Sequence, residues 1–320
     1  MTKSFHHITV LLNETVEQTV VNKDGIYIDC TTGGGGHAEL LLSKLGDSGK
    51  LIAFDQDPRA IKHLGEKFPD EIESGKLVLV TDKFSNIKAQ VERLGYTHKV
   101  DGIYADLGVS SPQLDEAERG FSFMNDGPLD MRMDQVPGAF TAKEFVNTAT
   151  MDELKRVFRE YGEEPKAHFV ADAIVKQREE KPFETTLELA TTVKNAIFYS
   201  KKSKKHPATK VFQAIRIHIN DEMGELERLL TDGFEVLREN GRFAIISFHS
   251  LEDRLIKQRF KTLAGRQKSS YVPKEFAILS SQTKEVYARL IKPFPIKPSD
   301  DEIEANPRSR SAKLRVCEKI

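Results

Sequence analysis

The 320-residue sequence holds only two cysteines, Cys30 and Cys317, and no CxxC pair. That excludes a disulfide framework and a zinc ribbon, and it predicts a reducing, cytoplasmic home. No apolar run approaches the ~20 residues that a membrane-spanning helix needs. The first twenty residues also lack the apolar core of a signal peptide, because His6, His7, Asn13 and Glu14 interrupt it. There is no GK[ST] and no GxSxG, which excludes a P-loop and a nucleophile elbow. Excess charge is missing too: 48 Lys and Arg face 49 Asp and Glu, a net −1. Bulk electrostatics therefore do not mark a nucleic-acid binder. What remains is ordinary for a soluble enzyme, 39% hydrophobic and 30% charged. The length suggests about two domains.

Charge is unevenly distributed. Five lysines and no acid lie between Tyr199 and Lys210, and six Lys or Arg residues with no acid lie between Leu255 and Lys274. Pro112 to Asp134 is the reverse, with six carboxylates against two arginines. Either basic run by itself reads as a solvated face. Together they suggest a localised polyanion-binding face, with Lys201, Lys202, Lys204 and Lys205 as its candidate RNA contacts.

Strand-like and helix-like patterns alternate through the first hundred residues. Ile26–Cys30, Leu51–Phe54, Leu77–Val80 and Val100–Leu107 read as strands. Between them lie helix faces: Leu40, Leu41, Leu42 and Leu45, then Ile61, Leu64 and Phe68 behind an Asp57-Pro58 cap. A third face carries Ile87, Val91 and Leu94 behind Ser85. This rhythm predicts a parallel, doubly wound α/β sheet. It breaks after Leu107 and gives way to helices such as 152–161 and 167–178. It then resumes with a helix through Leu226, Leu230 and Phe234 that stops near Gly241, and a strand over 242–248. Late strands at 286–291 and 312–316 can pair at an edge. The reading is a sheet domain over 1–111 and 211–320, interrupted by a helical substrate-recognition domain over 112–210.

The densest local signal is the segment Tyr27–Leu42, YIDCTTGGGGHAELLL. A strand runs into four glycines that open a helix, and glycine permits positive φ and close backbone approach to a ligand. Asp55 ends the next strand 22 residues after Gly33, where an acid can grip the hydroxyls of an adenosine ribose. The tetrad departs from GxGxxG, which favours an adenosine cofactor without pyrophosphate, such as S-adenosylmethionine. Phe84, after the third strand, either packs an adenine or belongs to the core.

The fourth strand ends in Asp106, followed by Ser110, Ser111 and Pro112. A strand-end Asp either caps its turn or accepts a hydrogen bond from an exocyclic amine and aims its lone pair at a methyl group. An in-line displacement of that kind depends on positioning and needs no metal. His249, after the strand over 242–248, reads as a capping or substrate-orienting residue on the same rim. Three functions remain open on these residues: an amine methyltransferase, a non-catalytic RNA-binding assembly factor that kept the cofactor fold, and a nucleotide-dependent oxidoreductase.

The segments GIYIDCTTGGGGHAELLL, DLGVSSPQLDEAERGFSFMNDGPLDMRMD, YGEEP, KHPATKVFQAIRIHIN, ISFHSLEDR and NPRSRSAKLR occur in order from about His7 to Arg315. Together they resemble the ribosomal RNA small subunit methyltransferase H family. The resemblance implies a class I methyltransferase sheet with an inserted helical domain. It also implies S-adenosylmethionine as cofactor and a decoding-region cytidine N4 of 16S rRNA as target. The small ribosomal subunit is then the partner, met by a monomer or homodimer. The cofactor positions it implies are Gly35, Gly36, His37, Asp55, Phe84, Asp106 and Gln113.

Overall fold

A computed structural model describes residues 8–197, 206–266 and 285–320. The chain divides into a sheet unit, Met1–Gly108 with Glu225–Ile320, and a helical unit, Val109–Gly224.

The sheet has seven strands: β1 (Ile26–Asp29), β2 (Lys50–Asp55), β3 (Leu77–Thr81), β4 (Val100–Asp106), β5 (Leu237–Ser247), β6 (Ala288–Leu290) and β7 (Lys313–Lys319). Their order is β3-β2-β1-β4-β5-β7-β6. The first five are parallel, and β7 runs antiparallel to β5 and β6. The expected late pairing is present at the sheet edge. The chain order reverses between β1 and β4, and ligands of open α/β sheets bind outside the carboxyl ends of the strands at such a point.

Alternation along the strands builds two cores, one on each face. Ile28, Ile52, Ile103 and Ile245 join the face covered by α5 (Ile87–Arg93), α12 (Glu222–Val236) and α13 (Ser250–Leu263). Tyr27, Leu51, Tyr104 and Ala244 join the face covered by α1 (Leu12–Thr19), α2 (Gly36–Lys44) and α3 (Pro58–Lys67), which a short α4 (Pro69–Glu73) follows. Strands buried on both sides carry near-continuous apolar runs, as β4 does.

Three expectations need correction. Ser85 lies inside a 3-10 turn, Phe84–Asn86, and does not cap α5. Asp82 organises that turn instead, accepting from Lys83 N, Asn86 Nδ2 and Gln90 Nε2. The helix before β5 ends at Val236, and β5 starts five residues earlier than 242. Arg238 Nε donates to Asp101 Oδ1 at 2.7 Å, drawing this stretch toward β4, and the register then shifts before Arg242 pairs with Gly102.

The helical unit contains a short α6 (Ser111–Asp115) and then α7 (Ala142–Thr148), α8 (Met151–Glu160), α9 (Ala167–Glu180), α10 (Thr186–Ala196) and α11 (Ala208–Ile219). Its second boundary falls after 210, because Val211, Phe212 and Ile215 of α11 are buried in the helical core beside Phe145, Val157 and Phe158.

Candidate active site

The carboxyl ends of β1, β2 and β4 carry Asp29, Asp55 and Asp106. The loop after β1 is pinned to β2. Thr32 donates from its amide and its hydroxyl to Phe54 O, at 3.1 and 2.8 Å, and Gly33 N donates to Asp55 Oδ2 at 2.9 Å. Gly33 and Gly35 have φ of 49° and 76°, where a side chain is strained. The four glycines then divide by surroundings. A Cβ on Gly36 would sit 2.0 Å from Thr9 Oγ1, and one on Gly35 would touch Phe68 and Leu64. Gly33 and Gly34 face open space, with nothing within 4 Å of a Cβ. Close approach of a ligand is therefore possible at the first two glycines, while the last two are set by packing.

Asp55 accepts from Gly33 N and from Asp57 N, both at 2.9 Å. The Gln56 amide also bonds it, and a carboxylate offers about four acceptor sites, so one stays available. Burial pushes its pKa up to about 6 despite these amide bonds. His37 is buried in the first turn of α2, with Nε2 3.1 Å from Val10 O, so its ring is held by the segment before α1. Phe84 is partly buried, packed on the core face below the 3-10 turn.

Asp106 is joined to β1 through Thr31, whose Oγ1 accepts from Asp106 N at 2.6 Å. Thr31 N in turn donates to Asp29 Oδ1, and Tyr104 Oη donates to Asp29 Oδ2. Asp29 is fully buried. Asp106 Oδ1 is out of solvent and has no hydrogen-bond partner among the described residues. Burial, then the nearby Asp29 and Glu252 carboxylates, push Asp106 up to about 8. Burial pushes Asp29 up to about 7. Sequence reading missed Asp29, Tyr104, Thr31 and Glu252. The available signal was an acid closing an otherwise apolar strand.

Asp106 is in register with Ile246, so the end of β5 lies beside the end of β4 and His249 stands on that rim, as expected. His249 caps α13: its Nδ1 accepts from Glu252 N at 3.5 Å, while Glu252 Oε2 accepts from Phe248 N and His249 N. Its Nε2 stands 3.1 Å from Glu252 Oε1 without the alignment of a hydrogen bond. His249→Ala is therefore expected to cost ~0.5–2 kcal/mol, the range for a lost N-cap. His249→Asn, which can cap, should recover most of it. Urea melts of the two variants check this, and equal stability of wild type and His249→Ala would remove the capping role.

Ser110, Ser111 and Gln113 lie in the helical unit. Ser110 Oγ caps α6 by accepting from Gln113 N, and Gln113 Oε1 accepts from Ser110 N at 2.9 Å. Lys201, Lys202, Lys204 and Lys205 lie outside the described residues.

Carboxyl groups ringing a glycine loop repel a pyrophosphate and attract a cation. An adenosine donor bearing a sulfonium suits this crevice: Gly33 and Gly34 leave room, Asp55 has a spare acceptor site, and Asp106 holds an unpartnered oxygen.

The family model for the MraW methylase family matches residues 4–320. The chain is 49% identical, over 319 residues and 99% of each chain, to Ribosomal RNA small subunit methyltransferase H of Clostridioides difficile (strain 630). Among solved structures it is similar to a candidate rRNA methylase from Clostridium thermocellum, at 12% identity and a TM-score of 0.43, covering 98% of this chain and 100% of that one. Aeropyrum pernix fibrillarin with natively bound S-adenosyl-L-methionine is also similar, at 9% identity and a TM-score of 0.35, covering 95% and 72%.

Proposed function

The chain belongs to the MraW methylase family, and from that premise we propose that it methylates the N4 amine of a cytidine in the decoding region of 16S rRNA. The donor is S-adenosylmethionine, which when bound supplies an electrophilic sulfonium methyl. The small ribosomal subunit is the partner, and it places the reaction in the cytoplasm. The observation that carries this reading is the buried, unpartnered Oδ1 of Asp106 at the switch point of the sheet.

The residues divide the work. Gly33 and Gly34 let a ligand reach the backbone of the loop, and Asp55 accepts hydrogen bonds from ribose hydroxyls. Asp106 Oδ1 accepts one N–H of the target amine, since a carboxylate is the natural acceptor for cytosine N4. That bond helps localise a lone pair otherwise delocalised into the ring and sets its line toward the methyl group. Reaction is then a matter of alignment. The amine loses a proton after transfer, and Asp106, kept ionised by the sulfonium charge when the donor is bound, is basic enough at Oδ1 to take it. Thr31, bonded to the amide of Asp106, fixes where that carboxylate stands.

The test is transfer of labelled methyl from S-adenosylmethionine to small-subunit RNA from cells lacking the protein, followed by nucleoside analysis. Label in N4-methylcytidine is the expected result. Label in any other nucleoside would overturn the target atom, and RNA binding without transfer would make the chain an assembly factor.

A further inference from the structure

We propose that the groove along α13 is a phosphodiester-binding site that holds the RNA strand on the sheet unit, an assignment that rests on the RNA reading above. The groove has a volume of ≈ 540 Å³. Among the described residues five cations line it, Arg254, Lys257, Lys261, Arg266 and Lys313, against one carboxylate, Asp253. That carboxylate is already committed: Oδ2 accepts from Lys313 Nζ at 2.9 Å and Oδ1 from Arg315 Nε at 2.8 Å. It leaves the positive charge further along the groove unneutralised. Lys257, Lys261 and Arg266 have no ion-pair partner among the described residues.

The spacing suits a chain of charges better than a single ion. Residues 254, 257 and 261 are three and four apart on one helix, so they share a face and span about 10 Å at 1.5 Å per residue. Among the described residues no apolar side chain lines the groove, so a protein partner would find no pocket there for the aromatic or aliphatic anchors that carry such interfaces. Point charges from lysine and arginine instead position a nucleic-acid backbone without reading its sequence. The location fits as well. Ser247 at the end of β5 is in register with Lys313, so the groove opens beside the rim that carries His249. A strand whose target base enters at Asp106 could continue along α13.

This site takes up the second basic run of the sequence, between Leu255 and Lys274, of which 255–266 lie within the described residues. Its contribution is measurable as salt dependence. A single strand loses affinity with a slope of about −0.7 in log K against log[salt] per phosphate neutralised, so three lost contacts should flatten the slope by about 2.

The experiment is anisotropy of a labelled single-stranded RNA oligonucleotide titrated with full-length protein at several KCl concentrations. The variant K257Q/K261Q/R266Q should show the flatter slope and at least tenfold weaker binding at 100 mM KCl. S-adenosylmethionine affinity by calorimetry should stay within twofold and report an intact fold. K257R/K261R should keep the wild-type slope, because charge and not shape is required. K44Q/K62Q/K88Q, which removes equal charge from exposed positions elsewhere on the sheet unit, should keep it too. A wild-type slope in the first variant would overturn the site. Competition by polyglutamate as effective as unlabelled RNA, at equal charge, would overturn RNA as the occupant in favour of an acidic protein. If wild-type protein transferred no methyl to RNA while the first variant still lost its slope, the groove would stand and only the reaction assignment would fall.

Discussion

Asp106→Asn is expected to slow single-turnover methyl transfer at least ~100-fold, the cost of ~1 Å misplacement of a reacting atom, and at the same time to make the sheet unit more stable at high pH. The first effect follows from charge. Asn keeps the size and one acceptor but neither holds an N4–H as a carboxylate does nor accepts the departing proton. The second follows from burial. Asp106 is pushed up to about 8 by loss of solvent and by Asp29 and Glu252, against an ordinary value near 3.9. The folded state therefore binds a proton that the unfolded chain releases, and stability falls as pH rises from about 4 through 8. One pK unit corresponds to ~1.4 kcal/mol, and a discounted ~2 kcal/mol gain for Asn at pH 9 would raise melting by ~4–8 °C. At pH 5 only about one of those four or so pK units separates the two states, so the advantage should shrink to roughly a quarter, and it should vanish at about pH 4, where the carboxyl begins to be protonated in both states. Single-turnover rates within threefold of wild type, at saturating cofactor and RNA, would make Asp106 structural and turn attention to Ser110, Ser111 and His249. A melting difference that does not change between pH 5 and 9 would sink the account of its burial.

The two effects describe one trade. Three carboxyl groups at strand ends, Asp29, Asp55 and Asp106, are held at about 7, 6 and 8, each above its usual range and each for burial first. A fold seeking stability would not place them there, and strongly perturbed groups gathered in one crevice are the signature of a functional site. A cationic ligand reverses the balance by stabilising the ionised forms.

Much of this was legible in sequence, and the reasons for the rest are physical. Strand–helix alternation gave the parallel order because both faces of each strand are covered, which writes long apolar runs. Asp55 was legible because a glycine loop and a strand-end acid are coupled by local geometry, here a direct bond from Gly33 N. Helix α1 was not. It is eight residues long and buries Thr15 and Thr19, so its stability comes from packing rather than from an apolar period. A Cβ on Gly102 would sit 2.7 Å from Thr19 Cγ2, a contact across more than eighty residues that no local pattern records. Asp29 was hidden for a similar reason: its role depends on Tyr104 and Thr31 meeting it across two strands. Glu252 was read as part of a motif, whereas its side chain closes the cap that holds His249 beside the site.

The cofactor half of the site yields the second large effect. Asp55→Ala should weaken S-adenosylmethionine binding by ~1.5–3 kcal/mol, the range for hydrogen bonds to a charged group, or roughly 10- to 150-fold in Kd. Part of that loss comes from the glycine loop, because Gly33 N would lose its acceptor. Asp55→Asn separates the contributions, since Asn can still accept from Gly33 N but carries no charge. The wild type should also show a pH signature. Asp55 is held at about 6, so its ionised, better-accepting form fills in as pH rises from 5 to 7, and affinity should rise over that window. In Asp55→Asn the rise should flatten, leaving the part that belongs to Asp29 and Asp106 at higher pH. S-adenosylhomocysteine, which lacks the sulfonium charge, should respond more weakly to those two groups than S-adenosylmethionine does. Calorimetry of both ligands at pH 5, 6, 7 and 8 reads all of these at once. An unchanged Kd in folded Asp55→Ala would remove Asp55 from the cofactor site, and the acid at the end of β2 would then serve only to hold the glycine loop.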